Sequence, residues 1–196
     1  MFSSFCDKIC DRFVSMNVIA EERKPLYVYG LNQAITMCLN IVTTLLLGIL
    51  FDMLWYCVAF LAAFIPIRSY AGGYHAKTPL RCYVFSVVQI IIVLSLLKYI
   101  DISFWIAVGI VILSGIFILF LSPMEDPNKP FSNGEFIAFR KRARIIWIFE
   151  LFFYIVCALL QWHVICLSIM IAHATLAVVL LLGFIKNKYQ LKKSCE

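Results

Sequence analysis

Six apolar runs, at residues 31–51, 53–67, 82–100, 102–121, 145–160 and 162–185, recur along the chain between charged, Pro/Gly-containing or very short connections. Runs this long and this poor in charge predict transmembrane helices. Ahead of them, Phe2, Phe5, Cys6, Ile9, Cys10, Phe13 and Met16 recur at helical spacing, with Asp7, Lys8, Asp11, Arg12 and Ser15 on the opposite face. That period predicts an amphipathic helix over 2–17, lying in the membrane interface or packed on the cytoplasmic face of a bundle. It lacks the basic start, apolar core and cleavage site of a signal peptide, so it is expected to remain in the mature protein. The predicted fold class is an all-α membrane protein, with six transmembrane helices and an N-terminal interfacial helix in one polytopic domain over residues 1–196.

Composition agrees with a bilayer environment. Of the 196 residues 63% are hydrophobic and only 14% charged, whereas a soluble globular chain carries about 25% charged residues. The connections after the second and fourth runs, the N-terminal region and the tail hold 16 of the 17 basic residues, leaving only Lys98. By the positive-inside rule these parts face the cytoplasm, so both termini and the loops 68–81 and 123–144 are expected there. The eight cysteines show neither CxxC pairs nor a secreted framework, which predicts reduced thiols rather than structural disulfides.

One polar interval carries chemistry. Between the second and third runs stand Arg68, Gly72, Gly73, His75, Lys77, Thr78, Pro79, Arg81 and Cys82. A thiol and an imidazole are the parts of a cysteine nucleophile and its proton carrier. On one unbroken helix, residues seven apart lie roughly 10 Å apart along the axis, too far for proton transfer. The sequence supplies a break: Gly72-Gly73 permits a turn, Thr78 suits an N-cap and Pro79 the first helical position. Cys82 then falls in the first turn of the next helix, where the dipole favours a thiolate. The second run is only fifteen residues long, about 22 Å, which would recess this loop below the headgroups. The competing reading is a short polar connection whose cysteine has no chemical role.

The 123–144 interval opens with prolines at 123, 127 and 130 and closes on a basic cluster, Arg140, Lys141, Arg142 and Arg144. With Lys129, the cluster suits an acidic peptide segment or, equally, anionic lipid headgroups. Glu150 lies within the fifth run and should have a partner, for which Arg68 or Arg144 is expected. His173 in the sixth run reads as a hydrogen-bonded core histidine, and His163 beside Trp162 as an outer-interface anchor. No metal-ligand spacing, phosphate loop or nucleotide fingerprint is present, so no metal, cofactor or nucleic-acid partner is expected.

These residues resemble the accessory gene regulator protein B (AgrB) peptidases of Gram-positive bacteria. The likeness rests on the charged amphipathic start, Tyr29-Gly30 at the entry to the first run, and Arg68 ahead of Gly73-Tyr74-His75-Ala76. Cys82 follows His75 by seven residues, and the Asn128-Lys129-Pro130 loop and the basic cluster also fit. The resemblance implies a membrane cysteine endopeptidase with His75 and Cys82 as the catalytic pair, supported by Arg68, Gly72 and Gly73. It further implies an AgrD-like precursor peptide as substrate, cleavage through a thioester, cyclisation to a thiolactone or lactone autoinducer in quorum sensing, and a homodimer. Asn32 stands where relatives are expected to carry Glu or Gln. A peptide exporter and a non-catalytic membrane scaffold are the alternatives of other classes.

Overall fold

A computed structural model describes residues 3–74, 78–99, 102–125 and 131–194. Among them are seven α-helices: α1 (Ser3–Ser15), α2 (Lys24–Leu50), α3 (Leu54–Ala71), α4 (Pro79–Tyr99), α5 (Phe104–Leu121), α6 (Asn133–Leu159) and α7 (His163–Ser194). The all-helical fold class agrees with the hydropathy pattern, and each apolar run falls on one of α2 to α7. Five of these, all but α6, are long and apolar enough to cross a membrane.

The chain divides into two compact units, Met1–Leu47 with Ala76–Ile92 and Gly48–His75 with Val93–Glu196. In the first, α1 buries Cys6 and Cys10 while Phe5, Phe13 and Met16 stay exposed, leaving apolar surface of the kind that enters a membrane interface. Lys24 at the start of α2 pairs with Asp11 of α1. Thr43 on α2 and Tyr83 on α4 share a hydroxyl hydrogen bond of 2.8 Å.

In the second unit α7 is central. Of its apolar window 61% is buried, against 28% for each of α3 and α5, and it packs on α3, α5 and α6. Ile67, Ala71, Ile118, Ala143, Leu176 and Leu180 form a fully buried cluster. Small residues bring the helices close: a Cβ on Gly115 would overlap the Trp147 ring, and one on Gly48 would sit 2.7 Å from Cys57 Sγ. Asp52 (φ 58°) and Gln161 (φ 57°) take the left-handed conformation that closes the short α2–α3 and α6–α7 turns.

Three expectations require correction. Helix α3 runs through Arg68 to Ala71, so the loop expected at 68–81 begins only at Gly72. Its 18 residues span about 27 Å, and span length gives no reason for a recessed loop. Charge near a helix end does not mark a loop, because long charged side chains on the terminal turns reach water while the backbone that carries them stays helical. The same reason corrects 123–144. Helix α6 starts at Asn133, with Ser132 and Glu135 forming a capping box, and the basic cluster is helical.

Glu150 is the third correction. It meets neither expected arginine but His173 of α7, Nε2 to Oε2 2.7 Å, with both residues buried. Six residues along one helix place Arg144 about 120° around the axis from Glu150. A carboxylate facing α7 finds its partner there instead. The expectation for His173, a hydrogen-bonded core histidine, matches this contact.

Candidate active site

The polar interval singled out by its sequence has two described flanks, one in each unit. His75 and Lys77 lie outside the described residues, as does Lys129 of the basic set expected to hold an acidic segment.

The first flank is the end of α3. Helix α3 stops because Gly72 (φ 73°) and Gly73 (φ 129°) take backbone conformations that side chains rarely adopt. Space enforces glycine too. A Cβ on Gly72 would collide with the Met124 carbonyl, and one on Gly73 would lie 2.8 Å from the Arg68 guanidinium and 2.9 Å from Val179 Cγ1. Arg68, one turn before the break, folds its guanidinium over the turn. Its Nη1 donates to the Gly72 carbonyl and its Nη2 to the Tyr74 carbonyl, the latter at 2.9 Å. Two outer ties complete the turn: Met124 N–H donates to Ala71 O at 2.8 Å and Tyr74 N–H to Val179 O at 3.0 Å. Gly72 and Met124 form a parallel bridge, and Lys186 sits 5.4 Å from the Tyr74 ring centre. A three-residue segment that would otherwise be free connection is thus held on three sides.

The second flank is the start of α4. The helix begins at Pro79, which needs no amide partner there. Thr78 caps it: its hydroxyl accepts from Arg81 N–H at 3.3 Å, and its carbonyl accepts from Cys82 N–H at 3.1 Å. Cys82 therefore sits in the first turn, half-buried, as the sequence pattern anticipates. The described cysteines 6, 10, 38, 57, 82, 157 and 166 are free thiols.

Arg140, Lys141, Arg142 and Arg144 lie on α6. Lys141, Arg142 and Arg144 are exposed, whereas Arg140 is half-buried. Arg142 stacks 5.5 Å above the Tyr70 ring on α3, and Tyr70 in turn meets Phe139 edge-on at 5.9 Å. The cluster therefore stands next to the end of α3 that carries Arg68. Among the described residues, no group of three or more His, Cys, Asp or Glu side chains is placed to hold a metal.

Sequence reasoning missed Met124, Val179, Gly183 and Asn187, the residues that receive the 72–74 turn. The one available signal was Gly183, an isolated glycine late in an apolar helix, where it costs about 1 kcal/mol against Ala and so hints at a packing role.

Helices of this length and apolarity, interrupted by a polar turn with a helix-capped cysteine, define a multi-pass membrane protein. The family model of Accessory gene regulator B, AgrB, matches residues 6–185, and the chain belongs to that family. An AgrB-like protein 2 of Clostridium perfringens (strain 13 / Type A) is 30% identical over 121 residues, 58% of this chain and 56% of that protein. The accessory gene regulator protein B of Staphylococcus intermedius is 23% identical over 119 residues, 61% of this chain and 63% of its own length. That of Staphylococcus carnosus (strain TM300) is 29% identical over 103 residues, 53% of this chain and 52% of its own. The chain thus spans between about half and two thirds of the length of these curated relatives. No solved structure matches it.

Proposed function

We propose that the protein is a membrane cysteine endopeptidase of quorum sensing, which removes the C-terminal tail of an AgrD-like precursor and promotes its cyclisation. The observation that carries this reading is Cys82 in the capped first turn of α4, seven residues after His75, within a family match that includes both. A helix N-terminus favours negative charge, so it suits a thiolate nucleophile.

The Cys82 thiolate attacks the scissile carbonyl, and a protonated His75 gives its proton to the departing amine. The C–N bond breaks, the tail leaves and a thioester remains on Cys82. A Cys or Ser of the precursor then attacks the thioester. His75 takes the attacking group's proton, and the Cys82 thiolate is released with a cyclic thiolactone or lactone as product. Exchange of one thioester for another is nearly isoenergetic, whereas hydrolysis would waste the intermediate, so cyclisation benefits from exclusion of water.

Arg68, Gly72 and Gly73 support the site by fixing the backbone that enters His75. The Arg68 guanidinium donates to two carbonyls of its own chain, which suits a positioning part rather than direct contact with substrate. The exposed basic residues of α6 are the acceptor for the precursor's acidic tail, and the positive-inside distribution favours a cytoplasmic position for them.

The test is tail release from a synthetic precursor by the protein in lipid nanodiscs, with the thioester sought by mass spectrometry. Cys82→Ala and His75→Ala should abolish release, while Cys57→Ala, which alters a buried thiol of α3, should retain it per folded molecule. Undiminished release by either of the first two variants would refute the peptidase. Peptide translocation without cleavage would favour the exporter.

A further inference from the structure

Helix α7 carries Val179, Gly183 and Asn187 at four-residue spacing, so the three form one stripe along its surface. Each meets a segment that lies outside any helix. The carbonyl of Val179, whose ordinary helical partner is the amide of residue 183, also accepts the Tyr74 amide at 3.0 Å. A Cβ on Gly183 would stand 3.0 Å from Gly73 C, 3.0 Å from Tyr74 N and 3.3 Å from Met124 Cγ. Two of those neighbours are backbone atoms, so rotating a side chain would not relieve the crowding. One turn further, Asn187 Nδ2 donates to the Glu125 carbonyl at 2.9 Å and approaches Met124 Sδ at 3.6 Å. Met124 is the residue that bridges Gly72.

We infer that this stripe of α7 is the template for the backbone entering His75, with Gly183 and Asn187 as positioning residues for the reaction. Gly183 acts directly, because a Cβ there would press on the 73–74 peptide and force it to give by a few tenths of an ångström beside its bond to the Val179 carbonyl. Asn187 acts at one remove, by holding the Met124–Glu125 backbone that bridges Gly72. The inference rests on the peptidase reading and deepens it: a proton carrier must stand within about 3 Å of its partner. A displacement of about 1 Å in a reacting group costs up to about 100-fold in rate.

The experiment compares kcat and KM for tail release by the full chain in nanodiscs, using wild type, Gly183→Ala, Asn187→Ala and Gly109→Ala. A Cβ added at Gly109 would meet nothing within 4 Å, so that variant serves as control. Gly183→Ala should lower kcat by about tenfold or more with KM changed less than about twofold, the split of a misplaced reacting group rather than of lost binding. Asn187→Ala should lower kcat by about threefold or more in the same manner, and Gly109→Ala should match wild type. A readout that needs no catalysis is bismaleimide cross-linking of Tyr74→Cys to Lys186→Cys, mapped by mass spectrometry, which Gly183→Ala should weaken severalfold.

Cleavage by wild type with kcat of both Gly183→Ala and Asn187→Ala within about twofold overturns the inference and leaves the peptidase standing. A fall in kcat with an unchanged cross-link also overturns it. Wild type that never cleaves, while the Tyr74→Cys/Lys186→Cys pair cross-links in an otherwise unaltered chain, overturns the peptidase reading, and the positioning role with it. Should Gly183→Ala fail to fold, Asn187→Ala decides by the same kcat criterion, since it removes atoms and adds none.

Discussion

His173 on α7 and Glu150 on α6 meet at 2.7 Å, a side-chain hydrogen bond between two buried ionisable groups within apolar helices. Removing one member strands the other in a low-dielectric interior, whereas removing both leaves only packing to restore. His173→Leu alone should therefore destabilise the second unit by about 3–5 kcal/mol, and His173→Leu with Glu150→Met should recover most of that loss. Unfolding in mild detergent, followed as a double-mutant cycle, measures the coupling. A double variant whose loss equals the sum of the His173→Leu and Glu150→Met losses would show that the contact contributes nothing.

Thr78 caps the helix that carries Cys82. Thr78→Val keeps the shape but loses the acceptor, at a cost of about 1 kcal/mol to the first turn. If that cost falls on the reactive geometry, kcat drops about fivefold, while Thr78→Ser, which keeps the hydroxyl, stays near wild type. The alkylation rate of Cys82 by iodoacetamide should follow the same order.

Neutralising exposed Lys141, Arg142 and Arg144 to Gln should raise KM for an acidic-tailed precursor by about threefold to tenfold and change kcat less. Raising ionic strength should shrink the difference between variant and parent, because exposed charges are screened beyond about 10 Å at 0.1 M salt. A KM that ignores both changes would remove the docking role. Arg140 is half-buried, so its loss would disturb packing as well as charge, and because Arg142 also stacks on Tyr70, Lys141→Gln with Arg144→Gln alone should move KM in the same direction.

Two glycines of α5 should respond oppositely. A Cβ at Gly115 would lie 2.7 Å from Trp147 Cε2, so Gly115→Ala overpacks the α5–α6 contact and should cost about 1–3 kcal/mol. Gly109 faces open space, and Gly109→Ala should be neutral or stabilising by up to about 1 kcal/mol through helix propensity. Thermal unfolding of the two variants side by side decides this.

Much of the candidate site is legible in the sequence because its signals are local. Gly72-Gly73 marks the end of α3, and Thr78-Pro79 marks the start of α4 and fixes Cys82 in its first turn. Capping and positive-φ preferences act over a few residues, so a linear reading finds them. Resemblance picks out Arg68 but not its grip on the Gly72 and Tyr74 carbonyls, since a guanidinium in a sequence does not say which acceptors it will reach. Charge misleads at both 68–71 and 133–144, because hydropathy reports where a chain leaves the apolar phase and not where its helix ends.

The helical class, the order of the apolar segments and the chemical make-up of the polar interval are written in the chain itself, through hydropathy, turn residues and functional groups. Three-dimensional packing alone settles that Glu150 meets His173 and that Met124 and the Val179–Asn187 stripe of α7 hold the 72–74 turn. Those pairings join residues 23 to more than 100 positions apart. They depend on which faces of packed helices meet, a property of side-chain volume and close backbone approach that no local pattern encodes.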